Sequence, residues 1–137
     1  IRQHGLGRKV KVLGRVSDVE KRTLLASALF VCMPSRYEGW GMVAIEANAS
    51  GTAVVASAID GLRDAVQDGQ TGLLVPSGDS EALAARMGTL LSDFQLRQSL
   101  GERGRKYARR FSWDQLAREK EEILITASAN ALSKKNM

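Results

Sequence analysis

Glu38 and Glu46 stand eight positions apart in the stretch RYEGWGMVAIEANASG, residues 36–51, on either side of a turn that holds Gly39 and Gly41. The turn leads into an apolar helix expected to start near Met42, and the first backbone N–H groups of a helix have no partner inside it. Those groups attract anions such as phosphate, and glycines let the backbone come close to a ligand. The turn is therefore an anion seat. Glu46 falls about one turn inside the helix, and helical side chains lean towards the N-terminus, so its carboxylate reaches back over the seat. Glu38 approaches from the loop side. Two carboxylates would repel a phosphate, so their partners are neutral donors. A carboxylate accepts two hydrogen bonds and suits a pair of neighbouring hydroxyls, as on a ribose or a hexose. The ligand implied has phosphate in the middle and a sugar on each side, which is a nucleotide diphosphate sugar. The competing reading of the same residues is a pair of solvated charges beside a helix cap.

Elements able to position such a seat are legible along the chain. The runs VKVLG (10–14), LFVCMP (29–34), TAVVAS (52–57) and TGLLVP (71–76) are short, apolar and bounded by glycine, proline or serine, as buried parallel strands are. Helices fit between them. Ser17 and Glu20 form a capping pair that opens a helix to about Ser27. Met42 to Ser50 is a second helix closed by Gly51, and 61–69 carries a short third one. After Pro76, Asp79 caps a helix to about Ser92, and the remainder reads as helix before a tail at 133–137. This alternation predicts an α/β fold, a partial Rossmann-like domain with parallel strands and helices on both faces. Residues 1–78 would form its strand and helix core and 79–132 its C-terminal helices. Ligands of such sheets bind at the carboxyl ends of the strands, and the turn at 38–41 follows the run 29–34.

Composition narrows the partners. A chain of 137 residues is the size of one domain. With 20 basic and 15 acidic residues, it leaves phosphates, membrane surfaces and nucleic acid open as partners. Nucleic acid is the weakest of these, because charge alone suggests it and no basic-plus-aromatic signature accompanies the charge. The single cysteine, Cys32, rules out an internal disulfide and is expected as an inert core residue. Nothing at the start has the layout of a signal peptide, so a reducing cytoplasm is the expected compartment. The apolar stretch at 24–33 is shorter than the roughly 20 residues that cross a bilayer. His4 has no Cys or acidic cluster near it in sequence, so no metal site is expected. The run 97–110 holds six Arg or Lys against one Glu, as a solvated helix face does, or a surface resting on an anionic membrane.

The stretch from Glu38 to Gly51 closely resembles the E-x7-E motif of the retaining glycosyltransferases of family 4, which have the GT-B fold. The similarity extends to VKVLGRV at 10–16, TAVVAS at 52–57, DGQTGLLVPSGD at 68–79 and RFSW at 110–113, nearly the whole chain. The resemblance implies that Glu38, with Gly39, Trp40 and Gly41, binds the donor sugar, that the backbone of Met42 and Val43 binds the diphosphate, and that Glu46 binds the ribose. The backbone near Val16 would lie against the base, and Asp18 and Lys21 sit where some members bind the nucleotide. Trp40 is expected mainly to pack beside the sugar pocket. The implied reaction moves a hexose from the nucleotide diphosphate to an acceptor with retention of configuration, the helix dipole at 39–43 stabilising the departing diphosphate. The nucleotide sugar is then a substrate, and no cofactor is expected.

The resemblance also marks departures. Where the family has two glycines and a glutamate after the run 52–57, this chain has Asp60, Gly61 and Asp64. The match starts inside the second of the two GT-B domains, so the acceptor domain and the first two donor-domain strands, with their Arg/Lys pair, are missing from it. In the order 3-2-1-4-5-6 those strands lie between the ones matching 10–14 and 29–34. The chain is thus expected either as part of a longer one or to repair the gap, by re-pairing its strands or as a homodimer joined through exposed strand edges. Taken by itself it also reads as a nucleotide-sugar-binding module without catalysis.

Overall fold

A computed structural model describes the backbone of residues 4–135 and the side chains of residues 4–128. From Ser17 onward the order of elements follows the sequence pattern. Helix α1 (Asp18–Ser27) opens on a capping box: the Ser17 hydroxyl accepts the Glu20 N–H, and a Glu20 carboxylate oxygen accepts the Ser17 N–H at 2.9 Å. Then come β1 (Phe30–Met33), α2 (Met42–Ala49), β2 (Ala53–Ser57), α3 (Asp60–Ala65) and β3 (Gly72–Val75). Helices α4 (Ser80–Ser92) and α5 (Phe94–Ala108), a 3-10 turn (Arg109–Phe111) and α6 (Trp113–Lys135) follow. The strands are parallel in the order β1-β2-β3, with Phe30 opposite Ala53 and Val54 opposite Gly72.

The central strand explains the layers. Every residue of β2 is buried, and its side chains alternate between two cores as the period of a strand requires. Val54 and Ala56 pack with Ile45 of α2 and Leu62 of α3, whereas Ala53 and Val55 pack with Leu90 of α4 and Leu100 of α5. Helix α5 reaches both, since Ala108 near its end joins the first core.

Three expectations are corrected. The run 10–14 forms no strand, and Val12 is 77% exposed. A strand exists only through the ladder it shares, and among the described residues this segment has no neighbouring strand to pair with. The short third helix expected within 61–69 is α3, which ends at Ala65, and the chain then turns at 69–71 with side chains bound to its backbone. The Thr71 hydroxyl accepts the Gln67 N–H at 3.0 Å and the Asp68 carboxylate accepts the Leu74 N–H at 2.9 Å. Helix α4 ends at Ser92 as expected and Asp93 caps α5, its carboxylate accepting the Leu96 N–H at 2.8 Å, but the helical remainder after it is broken at Ser112. Helix α6 runs to Lys135, three residues into the stretch read as a tail, and residues 136–137 lie outside the described residues.

The basic run is not simply solvated. Arg103 donates to the carbonyls of Gln70 and Gly69, Arg105 to that of Ser50, and Arg97 to those of Leu90 and Leu91. These bonds tie helix ends and loops to α5, leaving exposed Lys106, Arg109 and Arg110 for solvent or an anionic surface. Among the described residues no helix is long and apolar enough to cross a membrane.

Candidate functional site

The turn after β1 is shaped by two glycines that the sequence placed in it or near it. Gly41, the N-cap of α2, adopts the left-handed conformation (φ 73°, ψ 42°) and supplies no side-chain cap. The N–H groups of Ala44 and Ile45 return to the Gly41 carbonyl at 2.9 and 3.3 Å. Those of Met42 and Val43 have no protein acceptor among the described residues, so an anion arriving here meets open donors. Gly61, in the loop that departs from the family pattern, lies directly beneath this turn. A Cβ on it would stand 2.7 Å from the carbonyl carbon and oxygen of Gly39. The turn therefore rests on α3 backbone to backbone.

Glu46 lies one helical turn further on, where α1 meets α2. Its Oε1 accepts from the Lys21 ammonium at 2.8 Å, and Lys21 also stands 3.6 Å from the Asp18 carboxylate. The hydrogen bond to Glu46 is the main reason that the Lys21 pKa lies above its ordinary value, with burial working against it. The other Glu46 oxygen, Oε2, is buried and has no hydrogen-bond partner. A buried acceptor without a donor is costly, so this atom marks a place for one.

Glu46 borders two grooves. One, of about 460 Å³, lies between α1 and α2 and includes Asp18, Lys21 and Arg22. The other, of about 1060 Å³, runs from Trp40 and Met42 at the turn past Arg63 to Tyr107, Phe111 and Trp113. Its wall is aromatic. Trp40 meets Phe111 edge to face at a centroid distance of 5.1 Å, Phe111 meets Tyr107 at 5.2 Å, and the Tyr107 hydroxyl donates to the Asp64 carbonyl at 2.9 Å.

The structure thus brings Asp18, Lys21 and Glu46 together, and sets Trp40 and Met42 in the groove that Glu46 shares. Gly39, Gly41 and Val43 contribute backbone at the turn. Glu38 is half-buried and lines neither groove, so the two glutamates flank the turn without sharing a cavity. Val16, half-buried just before the Ser17 cap, lines neither groove as well. Sequence reasoning missed Arg63, Gln67, Tyr107 and Arg110 as groove residues. RFSW at 110–113 was a signal for two aromatic members of the wall, Phe111 and Trp113, whereas nothing local marks Arg63 or Gln67. Cys32 is half-buried with its sulfur 3.9 Å from that of Met87, and burial pushes its thiol pKa up. Among the described residues no group of three or more His, Cys, Asp or Glu can hold a metal ion.

A parallel sheet with an open helix N-terminus at the carboxyl end of a strand defines a domain of the doubly wound α/β class. The family described as "Glycosyl transferases group 1" matches residues 1–107, and the chain belongs to that family. It is 40% identical over 119 residues to a D-inositol 3-phosphate glycosyltransferase of Corynebacterium urealyticum, covering 87% of this chain and 28% of that protein. It is also 40% identical over 114 residues to a phosphatidyl-myo-inositol mannosyltransferase of Mycobacterium leprae, covering 82% and 30%. Among solved structures, sucrose-phosphate synthase from Thermosynechococcus elongatus matches with a TM-score of 0.89 at 35% identity, over 94% of this chain and 33% of that one. Anabaena HepE in complex with UDP-glucose matches with a TM-score of 0.84 at 29% identity, over 91% and 34%. The chain spans about a third of the length of these relatives, and its fold is part of a GT-B C-terminal domain.

Proposed function

We propose that the chain is the donor-binding part of a glycosyltransferase that moves a hexose from a nucleotide diphosphate sugar to an acceptor with retention of configuration. The observation that carries this reading is the buried, unpartnered Oε2 of Glu46, one helical turn from the open N–H groups of Met42 and Val43. Phosphate oxygens accept from those groups, and ribose hydroxyls donate to the carboxylate, so one nucleotide diphosphate satisfies both. Glu38 and the backbone of Gly39, Trp40 and Gly41 then face the hexose. The base lies towards Val16, beside the groove that holds Asp18 and Lys21. The HepE complexes, which contain UDP and UDP-glucose, support the same class of ligand. A second domain supplies the acceptor, since transfer needs a water-poor cleft with two walls.

Calorimetric titration of the chain with UDP, GDP and ADP, and with their glucose esters, tests this. Glu46→Gln should keep the fold and weaken both nucleotide and ester about tenfold or more, the worth of one charge-assisted hydrogen bond. Glu38→Gln should weaken only the ester. Equal losses for both ligands in both variants, or no binding of any of them by the unsubstituted chain, would refute the assignment.

A further inference from the structure

We propose that the corner where α5 passes into α6 rests on an anionic lipid bilayer, with Lys106, Arg109 and Arg110 against the headgroups and the Trp113 indole at the headgroup boundary. This goes beyond the donor-binding reading and does not depend on it. The six cations of the run 97–110 divide by what they touch. Arg97, Arg103 and Arg105 donate to backbone carbonyls and so serve the fold. Lys106, Arg109 and Arg110 are exposed. Their spacing of three and four positions sets them on one side of the backbone that continues from α5 into the 3-10 turn, away from the buried Gly101, Gly104 and Ala108. No carboxylate neutralises them: among the described residues, both ion pairs belong to Lys21. Three like charges are thus left together at one end of α5.

An apolar element stands beside them. Trp113, the first residue of α6, is 78% exposed, and Leu116 is exposed on the next turn. An indole pairs an apolar body with one N–H donor, which suits the boundary between headgroups and acyl chains. Cations near an anionic membrane contribute about fivefold each to binding, so three of them attract while the indole inserts. A nucleic acid strand fits this corner less well, because it needs cations that follow its backbone. Here they stop: beyond Trp113 the next ten residues hold Asp114, Glu119, Glu121 and Glu122 against Arg118 and Lys120. A bilayer needs only the corner, and those acids keep the rest of α6 off it. Arg110 and Trp113 also border the larger groove, so a chain seated this way brings the groove that reaches Trp40 and Met42 up to the lipid headgroups.

Cosedimentation with vesicles of phosphatidylcholine, alone or mixed equally with phosphatidylglycerol, tests this at low salt. The unsubstituted chain should prefer the anionic vesicles about a hundredfold, three cations at about fivefold each. Lys106→Gln with Arg109→Gln should lower binding to them about 25-fold, and both positions are exposed, so the fold is kept. The charge control is Lys9→Gln with Lys11→Gln, which removes two exposed cations from a segment without an aromatic residue and should lower binding less than about twofold. Tryptophan emission should shift to the blue on anionic vesicles, and Trp113→Phe should abolish that shift. Equal losses in the two double variants overturn the inference, since net charge alone would then account for binding. So does equal binding to neutral and anionic vesicles, or a blue shift that survives Trp113→Phe. Binding to single-stranded RNA that depends on Lys106 and Arg109, with no binding to vesicles, overturns it in favour of a nucleic-acid surface.

Discussion

Substituting Gly41 by alanine isolates the conformation on which the anion seat depends. Gly41 holds φ at 73°, a left-handed geometry that costs an L-residue with a Cβ about 1–2 kcal/mol. The added Cβ would also stand 2.8 Å from Cδ2 of Leu62 and 3.2 Å from Cβ of Ala65, where ordinary contact begins at 3.4 Å. Leu62 is fully buried, so it has to move by roughly 0.6 Å inside a packed core, and overpacking of this kind costs about 1–3 kcal/mol. Together the two effects predict a loss of about 2–5 kcal/mol, or about 8–20 °C in melting temperature for a domain of this size. Gly39, two residues earlier, is the control. Nothing lies within 4 Å of the Cβ it would gain, so Gly39→Ala should change stability by less than about 0.5 kcal/mol. Both melts are read by circular dichroism. Equal, small shifts for the two variants would refute the claim that the left-handed N-cap and its seat on α3 shape the turn.

Two further outcomes follow from α1 and from the sheet edge. Hydrogen bonds from Ser17, the backbone N–H first and the hydroxyl second, hold the Glu20 carboxyl below its ordinary value of 4.5. The folded state therefore gives up this proton more readily than the unfolded one, and the contribution is complete above 4.5 and lost as pH falls through the depressed value. Chemical denaturation across pH should show Glu20→Gln less stable than the parent near neutrality and equal to it in acid, and a constant difference would refute the capping role. Among the described residues strand β1 pairs only with β2, which leaves its outer edge open beside Leu29, 59% exposed. Light scattering should give a dimer of about 30 kDa, twice the 14.9 kDa chain, that Leu29→Lys shifts towards monomer, and a stable monomer of the unsubstituted chain would refute edge pairing.

What the sequence determined by itself is what neighbouring residues decide among themselves. Ser17 and Glu20 opened α1, Asp79 capped α4, and the glycines at 39 and 41 marked an open helix start, because each depends on contacts within about four residues. The three runs that became strands were legible for a related reason: an apolar β-rich segment bounded by turn residues is suited to a buried parallel strand wherever partners exist. Partners are what the sequence did not supply. VKVLG is as apolar and β-rich as the runs that formed strands, yet it lies in no strand and is exposed, since a ladder is a property of two segments. The site shows the same division. Glu46 announced itself by its place on α2, but its ion pair with Lys21, the support of the 38–41 turn by Gly61, and the aromatic wall from Tyr107 and Phe111 join residues far apart in the chain. Such contacts arise only when packing of α1, α2, α3 and α5 around β2 brings them within a few ångströms, and the interactions that act at that range have no trace in local spacing.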